Sequence, residues 1–80
     1  MKYKGIKDAC ALTKSYCRKD SRGEWVAIWA KDGELFTKVI PNGWWLRFDD
    51  EEPDAIIYAK VPMTMKQIEQ ELDNYIPLEY

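Results

Sequence analysis

The sequence contains no histidine, and its 80 residues include only two cysteines. Without His, the chain has no Ser-His-Asp or Cys-His pair for nucleophilic catalysis and no His-containing metal site. Two thiolates are too few for a four-cysteine zinc site. A phosphate-binding loop is missing as well. We therefore expect a binding protein without catalysis, metal or cofactor rather than an enzyme.

Long apolar runs are also missing. No stretch approaches the ~20 apolar residues that a transmembrane helix needs. Lys7 and Asp8 interrupt the first apolar segment, which argues against a signal peptide. Eighty residues suffice for one domain with one core. The prediction is a complete single-domain protein of the cytoplasm.

The net charge of −2 hides an uneven distribution of charged residues. Residues 1–22 carry seven Lys and Arg against two Asp, a net charge of +5, and the remainder carries a net charge of −7. Five of the acids lie within residues 49–54. Either the two poles neutralise each other within the molecule, or one of them meets a charged partner.

Apolar and small residues recur at three- and four-residue spacing over residues 6–20, which predicts an amphipathic helix. Its opposite face carries three cations: Lys7, Lys14 and Arg18. They are either ordinary exposed side chains or contacts to the phosphates of a nucleic acid.

The two cysteines, Cys10 and Cys17, share the apolar face of this helix. A separation of seven residues places their Cα atoms ~10 Å apart along a helix, whereas a disulfide needs less than ~7 Å. We expect both to be reduced core residues, as is typical of cytoplasmic proteins.

Two turn signals, Asp32-Gly33 and Asn42-Gly43, separate three segments rich in strand-forming residues. Both dipeptides favour type I′ hairpins, which predicts strands at 24–31, 34–41 and 44–48. Two-residue turns also define the register, and both turns assign the middle strand the same two faces. The three segments are therefore predicted to form a meander.

This register divides the sheet into two unlike faces. The aliphatic face carries mostly branched and small residues: Val26, Ile28, Ala30, Leu35, Thr37, Val39, Trp44, Leu46 and Phe48. The aromatic face carries Trp25, Ala27, Trp29, Phe36, Lys38, Ile40, Trp45 and Arg47. Because Lys38 and Arg47 are predicted to oppose each other, we expect the aromatic face to be at least partly exposed.

Residues 55–61 predict a fourth strand, and a capping box at residues 64–67 opens a predicted helix over residues 65–76. The order α-β-β-β-β-α indicates a single α+β domain spanning residues 1–80. We expect a twisted antiparallel sheet, a three-stranded meander plus the fourth strand, with two helices packed on it.

The acidic stretch at residues 49–54 lacks the spacing of a calcium-binding EF-hand loop. It is a solvated loop, a patch that docks on a basic partner, or a weak site for a divalent cation. In the second case the contacts would come from Asp49, Asp50, Glu51 and Glu52.

Three interpretations of the aromatic face remain open. One helix packs on it while the other covers the aliphatic face, it contacts a protein partner or a second copy, or it stacks on single-stranded nucleic acid. The main hypothesis is a small non-catalytic module that binds a protein. Its anchors would be Trp25, Trp29, Phe36, Lys38, Trp45 and Arg47. Small proteins of phages and mobile elements often bind or inhibit a host factor in this way. The alternative is a nucleic-acid-binding protein that uses the same face and the basic helix.

Overall fold

The computed structural model describes residues 3–17, 24–41, 46–48 and 52–75. In chain order these form helix α1 (Ile6–Tyr16), strands β1 (Trp25–Lys31), β2 (Glu34–Ile40) and β3 (Ala55–Ala59), and helix α2 (Met65–Asp73). They confirm a small α+β fold with two helices and an antiparallel sheet.

The N-terminal chain reaches α1 along the outer edge of β2. Lys4 pairs there in parallel with Glu34, donating its N–H to the Gly33 carbonyl at 2.9 Å and accepting from the Leu35 N–H at 2.8 Å. Gly5 then turns the chain with a φ of 89°, and a Cβ at this position would lie 3.2 Å from the Leu35 carbonyl oxygen. Because glycine has no Cβ, it adopts this positive φ without strain and leaves room for the Leu35 carbonyl oxygen. Helix α1 starts at the next residue.

Helix α1 buries the predicted stripe, with Ile6, Ala9, Cys10 and Thr13 inside. It ends at Tyr16 rather than at the predicted residue 20. Cys17 leaves the helical conformation with a ψ of 75°, and its thiol donates to the Ala59 carbonyl of β3 at 3.2 Å. Residues 18–20 lie outside the described chain.

The hairpin of β1 and β2 has the predicted register, including Trp29 opposite Phe36 and Ala27 opposite Lys38. Asp32 and Gly33 both have positive φ, 51° and 77°, as a type I′ turn requires. The strands are slightly shorter than the predicted 24–31 and 34–41, because Glu24 and Pro41 lie outside the ladder.

The order of the sheet is β2-β1-β3, so β1 is central. This differs from the predicted meander, in which 44–48 paired with the second strand. Residues 46–48 belong to no strand, and Trp44 and Trp45 lie outside the described residues. The segment predicted as a fourth strand instead supplies the third one, shortened from 55–61 to Ala55–Ala59, and pairs antiparallel with β1. Four strands are therefore not confirmed, and the predicted opposition of Lys38 and Arg47 does not form.

Helix α2 begins with the predicted capping box. The Thr64 hydroxyl accepts from the Gln67 N–H at 3.2 Å, and the Gln67 side chain accepts from the Thr64 N–H at 2.9 Å. The helix ends at Asp73, short of the predicted residue 76. At this end the Tyr75 N–H bonds to the Leu72 carbonyl three residues before, which tightens the final turn and closes the helix.

Both helices pack on the aliphatic face. The buried core joins residues of the helical layer to residues of the sheet. The helical layer contributes Ile6, Ala9, Cys10, Ile68, Leu72 and, directly after α1, Cys17; the sheet contributes Val26, Ile28, Ala30, Leu35, Ala55 and Ala59. The interpretation in which each helix covers a different face is therefore wrong. One sheet of three strands has room for two helices on a single side, and α1 also contacts α2 there.

Polar side chains of α1 connect this layer to the chain between β3 and α2. Thr13 is fully buried; its hydroxyl donates to the Cys10 carbonyl at 2.8 Å and accepts from the Met63 N–H at 3.1 Å. The Cys10 thiol donates to the Met63 carbonyl at 3.0 Å. Two of these bonds supply partners for the N–H and the carbonyl of Met63, a half-buried residue outside any helix or strand.

Candidate binding surface

The candidate surface is the aromatic face of the sheet, on the side away from both helices. The register of the three strands arranges its side chains in rows. The first row contains Phe36, Trp29 and Ile56, and the second contains Lys38, Ala27 and Tyr58. The third row contains Ile40, Trp25 and, one residue beyond the β3 ladder, Lys60.

The first row is built around Trp29. The Phe36 ring stacks beside the indole, with centroids 5.9 Å apart and planes at 21°. Phe48 meets the same indole edge-on at 5.6 Å and 69°. Each such pair contributes about 0.5–1.5 kcal/mol beyond area burial, so Trp29 is held in one orientation.

Phe48 therefore lies on the aromatic side of the sheet, whereas the predicted register assigned it to the aliphatic face. The reason is that residues 46–48 do not extend the sheet as a strand. The Phe48 ring contacts the sheet through Trp29. Because Phe48 is not part of a strand, the alternation of side chains along a strand does not determine the face on which it lies. Leu46 is half-buried and Arg47 is exposed in this segment.

Cations lie among the aromatic residues in the other two rows. The Lys60 ammonium lies 5.1 Å from the centroid of the Trp25 ring, a cation–π contact. Lys38 is exposed on the opposite edge strand. Ala27 and Ile40 in the same two rows are buried, so the accessible surface here is formed by the larger side chains around them.

Exposure on this face is uneven. Phe36 is 41% exposed, and Trp25, Trp29, Ile56 and Tyr58 are half-buried. On the opposite face, Val26 and Ile28 have no exposed surface at all. Along β1, Val26 and Ile28 are therefore sealed in the core, whereas Trp25 and Trp29 on the other side keep some contact with water and Ala27 between them is buried.

Several predicted contact residues are brought together here: Trp25, Trp29, Phe36 and Lys38 share the face, with Arg47 next to Phe48. Glu52 lies elsewhere, near the β1–β2 hairpin, where its carbonyl accepts from the Lys31 ammonium at 3.1 Å. The remaining predicted contacts lie outside the described residues: Trp45, Asp49, Asp50, Glu51 and Arg18.

The cationic side chains of α1 are not part of this surface. Lys7 and Lys14 are exposed on a helix that packs against the aliphatic face. The sheet itself therefore separates them from the aromatic residues, and one flat ligand does not touch both.

Sequence reasoning missed Ile56 and Tyr58 as members of the face. Alternation within residues 55–61 groups them with Lys60, but it does not tell which strand they lie beside. Pairing of β3 with β1 places all three next to Trp25 and Trp29.

The cysteines are free and buried, as predicted. Burial raises the pKa of the Cys17 thiol, and a hydrogen bond from the Val26 backbone lowers it by less. A neutral thiol that donates to a carbonyl is a packing group and not a nucleophile.

Within residues 3–17, 24–41, 46–48 and 52–75, the Cys, Asp and Glu side chains form no group of three that could hold a metal ion. Neither α1 nor α2 has the length and apolar character needed to span a membrane. Comparison with protein-family models, with curated proteins and with solved structures finds no match for this chain.

Proposed function

We propose that this protein is a small non-catalytic module that binds another protein through the aromatic face of its sheet. The observation that carries the proposal is the placement of both helices on the aliphatic face. That arrangement leaves Trp25, Trp29, Phe36 and Tyr58 on the side without a helix in the described chain.

The composition of this surface fits a protein interface. Protein contacts favour a few large aromatic anchors surrounded by side chains that exclude water. Trp29 is held by Phe36 and Phe48, so it loses little conformational freedom when a partner packs against it. Lys38, Arg47 and Lys60 surround the aromatic residues with positive charge, which favours a partner surface with exposed carboxylates.

The buried free thiols support a reducing compartment such as the cytoplasm as the place of action. In this proposal the partner is a protein of the same compartment. A host factor, as expected for a protein of a phage or mobile element, belongs to that class.

The test compares two exposed aromatic residues of equal accessibility. Phe36 on the aromatic face is 41% exposed, and Tyr16 at the end of α1 is 43% exposed. Tagged wild-type protein, Phe36→Ser and Tyr16→Ser are incubated with extract of the source cells, and captured proteins are quantified by mass spectrometry. The captured protein is then purified and its affinity for each variant measured by calorimetry.

We expect Phe36→Ser to weaken binding by about tenfold or more, because an interface anchor contributes at least ~1.4 kcal/mol. Tyr16→Ser should bind as the wild-type protein does. Equal binding by all three proteins would contradict the proposal, provided that circular dichroism shows each variant to be folded.

A second candidate is binding of single-stranded nucleic acid. The contact of Lys60 with Trp25 favours it, because stacking platforms for bases combine aromatic rings with neighbouring cations. An oligothymidine titration at low salt distinguishes the two candidates. Quenching of Trp fluorescence that weakens steeply with salt and is lost in Lys60→Ala would favour nucleic acid. Unchanged fluorescence would favour the protein partner.

A further inference from the structure

We infer that Phe48 closes the aromatic face in the free protein and is displaced from Trp29 when a partner binds there. We call residues 46–48, which include Phe48, the strap. The inference rests on the proposed function, because it describes how access to the same face is controlled. Two observations carry it: the place of the Phe48 ring on the face, and the way in which the chain beside the strap is fixed.

The chain between β2 and β3 crosses the aromatic face. It leaves β2 after Ile40 and enters β3 at Ala55, at opposite ends of the sheet. Because β1 lies between β2 and β3, the chain that joins them passes across one side of β1. The edge-on contact of Phe48 with Trp29 places the strap on the aromatic side. This edge of the indole is therefore closed to a partner while Phe48 is in place.

After the strap, the chain is fixed to the β1–β2 hairpin by hydrogen bonds. Asp54 donates its N–H to the Ala30 carbonyl at 2.8 Å, and its carboxylate accepts from the Asp32 N–H at 3.1 Å. The Glu52 carbonyl accepts from the Lys31 ammonium at 3.1 Å. None of these bonds involves the strap, so they hold this part of the chain on the sheet when the strap moves.

The strap itself is held more weakly. Residues 46–48 belong to no strand of the described chain, so no ladder of backbone hydrogen bonds joins them to β1 or β2. Phe48 contacts the sheet through its edge-on pair with Trp29, with ring centroids 5.6 Å apart. Such a pair favours the closed arrangement by about two- to tenfold. A partner that binds with ordinary affinity exceeds this preference and displaces Phe48.

The face keeps its shape when Phe48 leaves. Phe36 and Trp29 pair directly across the β1–β2 ladder, and their rings stack with planes at 21°. Because both residues lie in paired strands, this stack does not depend on the strap. The indole edge that Phe48 leaves fits another aromatic ring in the same edge-on geometry. The partner therefore inserts an aromatic side chain there, and its carboxylates lie near the exposed Lys38 and Lys60.

The two phenylalanines on Trp29 have opposite effects on binding in this mechanism. Phe36 is part of the surface that the partner contacts, so its removal weakens binding. Phe48 competes with the partner, so its removal leaves the face open in every molecule and strengthens binding by about two- to tenfold. If Phe48 only supported Trp29, its removal would weaken binding, as the removal of Phe36 does.

The test uses the dye 1-anilinonaphthalene-8-sulfonate, which combines aromatic rings with a negative charge. The dye has the chemistry that the open face selects, and its use does not depend on the identity of the partner. Wild-type protein, Phe48→Ala and the matched control Phe36→Ala are titrated with it, and dissociation constants are obtained from the rise in fluorescence. We expect Phe48→Ala to bind the dye about two- to tenfold more tightly than wild type, and Phe36→Ala to bind it more weakly.

Circular dichroism verifies that each variant is folded, because loosely packed chains bind this dye without specificity. If Phe48→Ala is not folded, Phe48→Leu takes its place, since it keeps an apolar side chain but loses the edge-on ring. Nuclear Overhauser contacts between the Phe48 ring and the Trp29 indole provide the second measurement. They should be present in the free wild-type protein and lost at saturating dye.

Three results would each overturn the strap. They are dye binding by the Phe48 variant that equals or falls below that of wild type, absence of the ring contact in the free protein, and persistence of that contact at saturation. The proposed function is decided separately, by the capture experiment with Phe36→Ser and Tyr16→Ser. Failure of that experiment together with opening by the dye would contradict the proposed function and leave the strap standing.

Discussion

Neighbouring residues of one strand, Ile28 and Trp29, lie in opposite environments. Ile28 has no exposed surface and packs under both helices, whereas Trp29 is half-buried among aromatic rings. The aliphatic face is built from small and branched side chains that let two helices approach closely. The aromatic face has large side chains and no helix among the described residues. One sheet thus has a face that forms the core and a face to which we assign binding by proposal, and substitutions can test that separation.

The largest effect is expected for Ile28→Ala on the covered face. Removing a fully buried Ile side chain leaves a cavity and costs about 2–5 kcal/mol. Urea unfolding followed by circular dichroism measures the loss. Ile28→Val, at about 1 kcal/mol, keeps the measurement possible if the alanine variant does not fold. A loss below 1 kcal/mol for Ile28→Ala would contradict the assignment of this face to the core.

Thr13→Val tests the polar connection between α1 and the chain before α2. The substitution keeps the shape of the side chain but leaves the Met63 N–H without its acceptor, which costs about 1–3 kcal/mol. Thr13→Ser keeps the hydroxyl and is the control. If Thr13→Val unfolds at the same urea concentration as wild type, the hydroxyl contributes nothing to the helix layer.

Phe36→Ala should change stability little, which sharpens the contrast between the faces. Phe36 is 41% exposed and its main described contact is the stack with Trp29, so we expect a loss of about 1 kcal/mol or less. The same urea experiment measures it beside Ile28→Ala. A loss as large as that of Ile28→Ala would show that the aromatic face is also core.

The smallest effect concerns pH and Cys17. Because burial raises the pKa of this thiol in the folded state, folding favours the protonated form. Its contribution is complete below the ordinary thiol pKa and is lost as the pH rises above it, toward the raised pKa. Stability of the wild type should therefore fall more steeply than that of Cys17→Ala in the alkaline range. Parallel pH profiles would contradict this.

The hairpin and the start of α2 were predictable because local chemistry determines them. Asp32-Gly33 sets the turn and hence the pairing of Trp29 with Phe36, and Thr64 with Gln67 defines the start of α2. The second neighbour of β1 was not predictable in this way. β1 is apolar on both sides and can pair at either edge, so its choice of β3 depends on packing between distant segments.

The same distinction explains the candidate surface. The hairpin register correctly grouped Trp25, Trp29, Phe36 and Lys38. Ile56, Tyr58 and Phe48 join them through contacts across the fold that no local pattern indicates. Thr13 was recognised only as part of an apolar stripe, since a periodic pattern does not reveal which backbone group its hydroxyl meets.

The central position of β1 also has a kinetic consequence. Its pairing with β2 closes over a two-residue turn, and such hairpins form in about 1–10 μs. Its pairing with β3 joins Val26 to Ala59, 33 residues later, and must first overcome the entropy of closing that loop. We expect the hairpin to form early and β3 to dock late, together with α2. Stopped-flow folding should then show that substitutions in the hairpin slow folding, whereas those in β3 mainly accelerate unfolding.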